Sequence, residues 1–122
     1  MSESSNPELQ PLLDDLRSAT QDSAVLSRPA DLQSYSRDLW PKLSFTVRDR
    51  QQLTPPAAVV RPRNEAECAA VVRVLAAHGT AVVPFGAGSG VCGGAAPLFG
   101  GVVVDLKHLD ELGEVDPGSL SV

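Results

Sequence analysis

One glycine-rich stretch decides the fold: Pro84-Phe85-Gly86-Ala87-Gly88-Ser89-Gly90-Val91-Cys92-Gly93-Gly94. The apolar segment 81–84 leads into it and the apolar segment 101–106 follows it, and both have the composition of buried strands. Alternating glycines let successive backbone N–H groups turn toward one concavity, and without Cβ atoms a phosphate can come close to the main chain. Ser89 adds a hydroxyl donor. We therefore predict a diphosphate in a loop between two strands.

Three other interpretations of this loop compete with a diphosphate site. Residues 88–93 match the Gly-x-Gly-x-x-Gly dinucleotide pattern, but that fold needs a helix to begin within the glycines. The run 93–101 is rich in glycine and contains a proline, so a helix is not expected there. A Walker A loop needs a lysine, and none occurs between Lys42 and Lys107. A plain glycine-rich connection between strands is the alternative that composition alone leaves open.

The residues before the loop predict a strand and a capped helix. Residues 57–62 form a short apolar run that ends at a proline, as strands often do. Asn64, with Glu67 three residues later, gives a capping-box pattern, and His78-Gly79 ends the helix. One apolar stripe runs along this helix: Cys68, Val71, Val72, Leu75 and Ala76. The resulting order of strand, helix, strand, loop and strand is an α/β order.

The two ends of the chain carry weaker signals. Asn6-Pro7 resembles a helix start, and leucines at helical spacing predict one short amphipathic helix. These leucines are Leu9, Leu12, Leu13 and Leu16. Residues 20–56 are mixed and polar, so we predict a loop there with at most one helical turn. Residues 109–116 predict a turn that leads into another strand.

The composition excludes several classes of protein. The 122 residues carry a formal net charge of −5 and contain no basic run, so nucleic acid and anionic membranes are poor partners. The first residues lack the features of a secretory signal, and no apolar stretch is long enough for a transmembrane segment. We predict one small cytoplasmic domain with reduced cysteines, Cys68 in the core and Cys92 as a small packing residue. No metal-binding spacing is present.

We predict structural roles for the histidine and aspartate residues outside the loop. The histidines are predicted to be exposed and structural rather than catalytic: His78 and His108. For Asp38 we favour a surface ion pair with Arg37 or Arg48 over a place in a cofactor cleft. Asp105 is assigned to a strand end or turn. No catalytic residue is identified in this chain.

The loop and its surroundings resemble a known family. Residues 84–90, the pair Gly93-Gly94 and the strand 100–106 resemble the signature of the vanillyl-alcohol-oxidase or PCMH-type FAD-binding domain. The resemblance runs from about Tyr35 to Val122. Within the family, the chain is most similar to FAD-linked oxidases such as the glycolate oxidase flavoprotein subunit and D-lactate dehydrogenase, with alkyldihydroxyacetonephosphate synthase as a related member.

This resemblance implies a fold and a cofactor. The fold would be α+β, the incomplete first subdomain of the PCMH-type domain, with a small mixed sheet and one well-defined helix. Residues 1–34 would be a helical or irregular extension, and residues 35–122 a truncated FAD-binding domain. Eight residues would bind FAD: Phe85, Gly86, Ala87, Gly88, Ser89, Gly90, Gly93 and Gly94. Ser89 stands where some members carry a flavin-linked histidine, so FAD would be held without a covalent bond at this loop.

The resemblance also implies an activity. We expect the first part of an FAD-dependent oxidoreductase that acts on a small hydroxy acid or a similar CH–OH substrate. The family's second FAD subdomain, cap domain and substrate-binding residues would follow this segment, or a separate chain would supply them. The chain alone is therefore expected to be inactive and to bind FAD weakly. The alternatives are a non-catalytic remnant or half of a split flavoenzyme, a binding module for a free nucleotide, and an enzyme like alkyldihydroxyacetonephosphate synthase.

Overall fold

A computed structural model describes residues 9–49 and 53–122 of the chain. Its elements, in chain order, are α1 (Gln10–Ala19), a 3-10 turn (Asp22–Ala24), β1 (Val25–Leu26), α2 (Pro29–Ser34), α3 (Pro41–Arg48), β2 (Ala58–Val60), α4 (Glu65–Ala77), β3 (Val82–Phe85) and β4 (Val102–Asp105). The Asn6-Pro7 helix start predicted from the sequence lies outside the described residues.

The strands form one four-stranded mixed sheet, as predicted, in the order β1-β2-β4-β3. The strands β2, β4 and β3 are parallel, whereas β1 pairs antiparallel with β2. The last strand in sequence, β4, therefore lies between β2 and β3. Because β3 and β4 are adjacent and parallel, the chain must return along the whole sheet between them. The glycine-rich loop makes this return.

Helix α4 begins and ends where the sequence predicted. The Asn64 side chain accepts a hydrogen bond from the N–H of Glu67 at 2.9 Å, and Gly79 follows the helix with a φ of 60°. Val71 and Leu75 are fully buried, but the rest of the predicted stripe is not. Val72 and Ala76 are exposed and Cys68 is only partly buried, so the placement of Cys68 in the core was wrong. The reason is that α4 packs against α1 and the larger core through Val71 and Leu75, a narrower face than the sequence stripe.

Apolar side chains fill both faces of the sheet. One face carries the larger core, in which strand residues meet α1 and α4. Its fully buried members include Leu16, Val60, Val71, Leu75 and Val102. The opposite face carries a smaller core around Val59, Val103 and Phe85, and Tyr35 and Ala95 pack against it. Successive strand residues point to opposite faces, which explains why Val59 and Val60 belong to different cores.

The region between α1 and β2 differs most from the sequence prediction. Helix α1 is present, with Leu12, Leu13 and Leu16 buried. The predicted loop over residues 20–56, however, contains β1, α2 and α3, so two further short α-helices join the two that the sequence predicted. Both missed helices begin at a proline, where its missing N–H costs nothing, and both are too short for a clear apolar period. In this structure α1 and β1 share the larger core with later elements. The predicted boundary at residue 34, between an N-terminal extension and the FAD-binding domain, stays a prediction.

The C-terminal residues after β4 lie largely on the surface. Within the described residues, no strand follows Asp105, and one isolated bridge pairs Asp116 with Ser121. The prediction of a further strand after residues 109–116 was therefore wrong for this structure. Leu112 and Leu120 are among its exposed apolar side chains. No helix of the described part has the length and apolar character needed to cross a membrane.

Candidate cofactor-binding loop

The glycine-rich loop leaves the carboxyl end of β3 and runs to the start of β4. No helix or strand begins between Gly86 and Gly101 in the part of the chain that the structure describes. The Rossmann arrangement, in which a helix starts within the glycines, is thus rejected as predicted. The carboxyl ends of parallel strands are where open α/β sheets place their ligands.

The backbone N–H groups in the first part of the loop, residues 86–95, have no partners within the described residues. None of those from Gly86 to Ala95 donates a hydrogen bond there, whereas the carbonyl groups of Gly90 and Gly93 accept bonds from Leu39 and Ala96. The loop is therefore fixed through its carbonyl groups, and its donors stay available. A run of available N–H groups on a glycine-rich backbone fits an anionic group such as a diphosphate.

Gly88 rests on the ring of Phe85. Its φ of 69° lies in the left-handed region, and a Cβ atom at this position would lie 2.6 Å from Cζ of Phe85. Glycine is therefore required at residue 88 for two independent reasons, backbone conformation and space. The Phe85 ring is buried at the end of β3, so it forms a floor under this part of the loop.

Gly93 rests on a second aromatic ring, that of Trp40. Its φ is 83°, and a Cβ atom would lie 2.8 Å from Cε3 of Trp40. Gly86 and Gly94 differ, since a Cβ atom on either would meet no atom within 4 Å. Among these four glycines, Gly88 and Gly93 rest on aromatic rings, and Gly86 and Gly94 have open space beside them. A ligand group can occupy that space.

A polar cluster holds the Phe85 ring in place. The Tyr35 ring meets it edge-on, with ring centroids 4.9 Å apart, and the Tyr35 hydroxyl donates a 2.6 Å hydrogen bond to Asp105 Oδ2. Lys107 Nζ lies 3.1 Å from the same oxygen and 5.3 Å from the Phe85 centroid. Burial, together with the Asp105 hydrogen bond and charge, raises the pKa of Tyr35 to about 12. Asp105 lies at the end of β4, as predicted.

Asp38 is buried rather than paired at the surface. The residue is 3% exposed, its Oδ1 accepts a hydrogen bond from the Trp40 N–H at 2.9 Å, and its Oδ2 has no partner within the described residues. The predicted ion pair with Arg37 or Arg48 was wrong, because Asp38 folds back on its own chain and Arg48 binds Asp49.

The other predicted residues are placed as follows. Ala87 and Ser89 are exposed in the loop, and Gly90 binds Leu39 through its carbonyl group. Cys92 is exposed, so its prediction as a packing residue was wrong. His78 has a structural contact, since its Nε2 lies 2.7 Å from Asp15 Oδ2 and joins α4 to α1.

Sequence reasoning missed the residues that support the loop from outside it. Tyr35 and Trp40 are separated from the glycines by tens of residues, and Lys107 lies beyond the next strand. For Tyr35 and Trp40 the only sequence signal was that the family resemblance begins at about Tyr35. Nothing in their local pattern indicated which glycine each ring would contact.

The sequence of this chain is similar to those of known proteins. The profile of a family described as "FAD binding domain" matches residues 56–122. The glycolate oxidase subunit GlcD of Bacillus subtilis is 35% identical over 71 residues, which are 58% of this chain and 15% of that protein. The alkyldihydroxyacetonephosphate synthase of Trypanosoma brucei brucei is 36% identical over 94 residues, 72% of this chain and 14% of that protein. The chain therefore spans about a seventh of the length of these relatives.

A solved structure supports the fold. The p-cresol methylhydroxylase structure with bound substrate aligns with a TM-score of 0.70 at 20% identity, over 93% of this chain and 21% of that one. The mixed sheet with its flanking helices is thus the architecture of the PCMH-type FAD-binding domain, of which the chain covers a part.

Proposed function

This chain belongs to the family of FAD binding domains, and on that premise we propose that the loop after β3 binds the pyrophosphate group of FAD. The observation that carries the proposal is the run of N–H groups from Gly86 to Ala95 without partners in the described residues. Oriented backbone dipoles can neutralise a diphosphate without a lysine.

Each predicted loop residue has a role in this proposal. The N–H groups of Gly86, Ala87 and Gly88 and those of Ser89 and Gly90 face the diphosphate, with the Ser89 hydroxyl as a further donor. Gly93 and Gly94 carry the chain past the cofactor, and open space beside Gly94 leaves room for it. The Phe85 ring supports Gly88 from below. Ser89 cannot form the histidine–flavin bond, so the cofactor is held by these contacts alone at this loop.

We further propose that the loop serves an FAD-dependent oxidoreductase that oxidises a CH–OH carbon of a small hydroxy acid. Bound FAD supplies the hydride acceptor for such a reaction. The glycolate oxidase relative supports this substrate class, and the alkyldihydroxyacetonephosphate synthase relative supports a different flavin chemistry as the alternative. No residue of this chain is assigned to the substrate. The two free cysteines, Cys68 and Cys92, support a reducing cytoplasmic location.

Backbone NMR of the 122-residue chain tests the loop directly. Amide shifts in 15N spectra detect even weak binding, so FAD and ADP are titrated to millimolar concentration and every amide is followed. We expect the largest shifts at residues 86–95. Adenosine, which lacks phosphate, is the control ligand and should leave these amides unchanged.

Two outcomes separate the proposals. If FAD moves no loop amide, or moves amides elsewhere instead, the pyrophosphate assignment is wrong. If ADP and FAD bind with equal affinity, a module for a free nucleotide replaces the flavin site. The fluorescence of Trp40, the single tryptophan, gives a second signal because flavin bound beside Gly93 should quench it.

A further inference from the structure

We propose that the segment Tyr35–Trp40 sets the geometry of the glycine-rich loop, and that Asp38 is its positioning residue. The segment precedes the part of the chain that the family profile matches, which begins at residue 56. The inference rests on the proposed function only for its binding readout, since the contacts themselves need no ligand. It assigns a role in cofactor binding to residues outside the glycines.

The segment supports the loop at three points, two by direct contact and one through the Phe85 ring. The Leu39 N–H donates a 2.9 Å hydrogen bond to the carbonyl oxygen of Gly90. The Trp40 ring lies beneath Gly93, and Tyr35 holds the Phe85 ring that lies beneath Gly88. These contacts involve carbonyl groups and Cα positions of the loop. They can therefore fix its shape while its N–H groups remain free for a ligand.

Asp38 controls the turn on which two of these contacts depend. Its Oδ1 accepts the hydrogen bond of the Trp40 N–H, which bends the chain around Leu39. This bend presents the Leu39 N–H to Gly90 and directs the Trp40 ring to Gly93. Without the acceptor, the Trp40 N–H would lose its partner, and both contacts with the loop would loosen together.

The second oxygen of Asp38 points to the same loop. Oδ2 is buried without a partner in the described residues and lies 3.5 Å from the place where a Gly90 Cβ would stand. An unpaired buried carboxylate oxygen destabilises a fold. An asparagine would keep the Oδ1 acceptor while it removes that charge. Asp38→Asn is therefore a rescue variant: it retains the hydrogen bond that forms the turn and lacks the carboxylate charge, so it shows which of the two the loop needs.

The test compares Asp38→Asn and Asp38→Ala in the full chain. We expect Asp38→Ala to weaken FAD binding by about tenfold, because the loss of one hydrogen bond leaves the loop less ordered. The variant should also shift the amide signals of Gly88, Gly90 and Gly93 in the absence of ligand. Asp38→Asn should bind FAD within about threefold of the wild type and unfold at equal or higher temperature. Leu12→Ala, in the core on the opposite face of the sheet, is the control for lost stability and should leave binding unchanged.

The outcomes distinguish this inference from the proposed function. If wild-type protein binds FAD and Asp38→Ala binds equally well with unmoved glycine amides, the positioning role is wrong. If binding falls in Leu12→Ala as far as in Asp38→Ala, stability alone explains the loss, and the role is also wrong. If Asp38→Ala does not fold, Trp40→Ala tests the role of the segment instead. 15N relaxation should then show greater backbone motion at Gly93 than in the wild type, and unchanged motion there would contradict the role. If wild-type protein does not bind, the proposed function fails, but the unliganded amide shifts still test the positioning role.

Discussion

The Tyr35 hydroxyl donates a 2.6 Å hydrogen bond to Oδ2 of Asp105, across 70 positions of sequence. Asp105 is buried at the end of β4, and Tyr35 also packs edge-on against Phe85 at the end of β3. One side chain thus joins the ends of the two strands between which the glycine-rich loop runs. The floor of the loop depends on this contact, because the Phe85 ring supports Gly88.

The hydroxyl of Tyr35 should contribute to stability. Tyr35→Phe keeps the ring contact with Phe85 but leaves a buried carboxylate with one donor fewer, so we expect a loss of roughly 1–2 kcal/mol in the free energy of unfolding. Urea denaturation measures it. Ser34→Ala, which removes an exposed hydroxyl bonded only within its own helix, is the matched control and should change stability by less than about 0.5 kcal/mol. Equal effects in the two variants would contradict the prediction.

Stability should fall at high pH because of the same residue. The folded-state pKa of Tyr35, about 12, lies above its ordinary value of 10.0, so the folded protein keeps the phenol proton after the unfolded chain has lost it. The contribution is complete below pH 10 and is lost as the pH rises toward about 12. Because the chain contains a single tyrosine, ultraviolet absorbance reports its ionisation directly. A midpoint near 10 in the folded protein would contradict the buried hydrogen bond.

Alanine at Gly88 or Gly93, the two left-handed glycines that rest on aromatic rings, should distort the loop. Gly88→Ala and Gly93→Ala each force a positive φ on alanine and a Cβ atom into an aromatic ring, and each should cost at least about 1–2 kcal/mol of stability. Gly86→Ala and Gly94→Ala are the matched controls, because a Cβ atom has open space at both positions and φ is not positive. Thermal unfolding measures the four variants. Equal losses in both pairs would mean that the aromatic supports are absent in solution.

Helix α1 should unfold together with the remainder of the chain. Leu16 is 0% exposed in the larger core, so Leu16→Ala should cost about 2–5 kcal/mol. Leu112→Ala is the control, because that side chain is 86% exposed and its loss should change stability by less than about 0.5 kcal/mol. Circular dichroism follows the helices, and Trp40 fluorescence follows the region beyond residue 34. If Leu16→Ala left the Trp40 transition unchanged, the predicted division at residue 34 would be supported instead.

The sequence predicted the features that depend on neighbouring residues. The cap at Asn64, the end of α4 just before Gly79, the strands β2, β3 and β4 and the absence of a helix within the glycines all follow from local patterns. The short helices α2 and α3 escaped prediction because each is held by few local interactions. The burial of Asp38 and the exposure of Cys92 escaped it because both depend on which distant segments cover those side chains.

The sequence by itself determined that a flexible glycine backbone lies between two apolar strands, because glycine content and apolar runs act over a few residues. These patterns identified the loop, and the resemblance of the loop and its flanking strands to a known signature indicated the FAD binding domain family. Only the tertiary structure decided how the loop is held, since Phe85 and Trp40 reach Gly88 and Gly93 from different elements. Contacts of this kind form when the sheet brings distant residues together, and no local pattern encodes which ring meets which glycine.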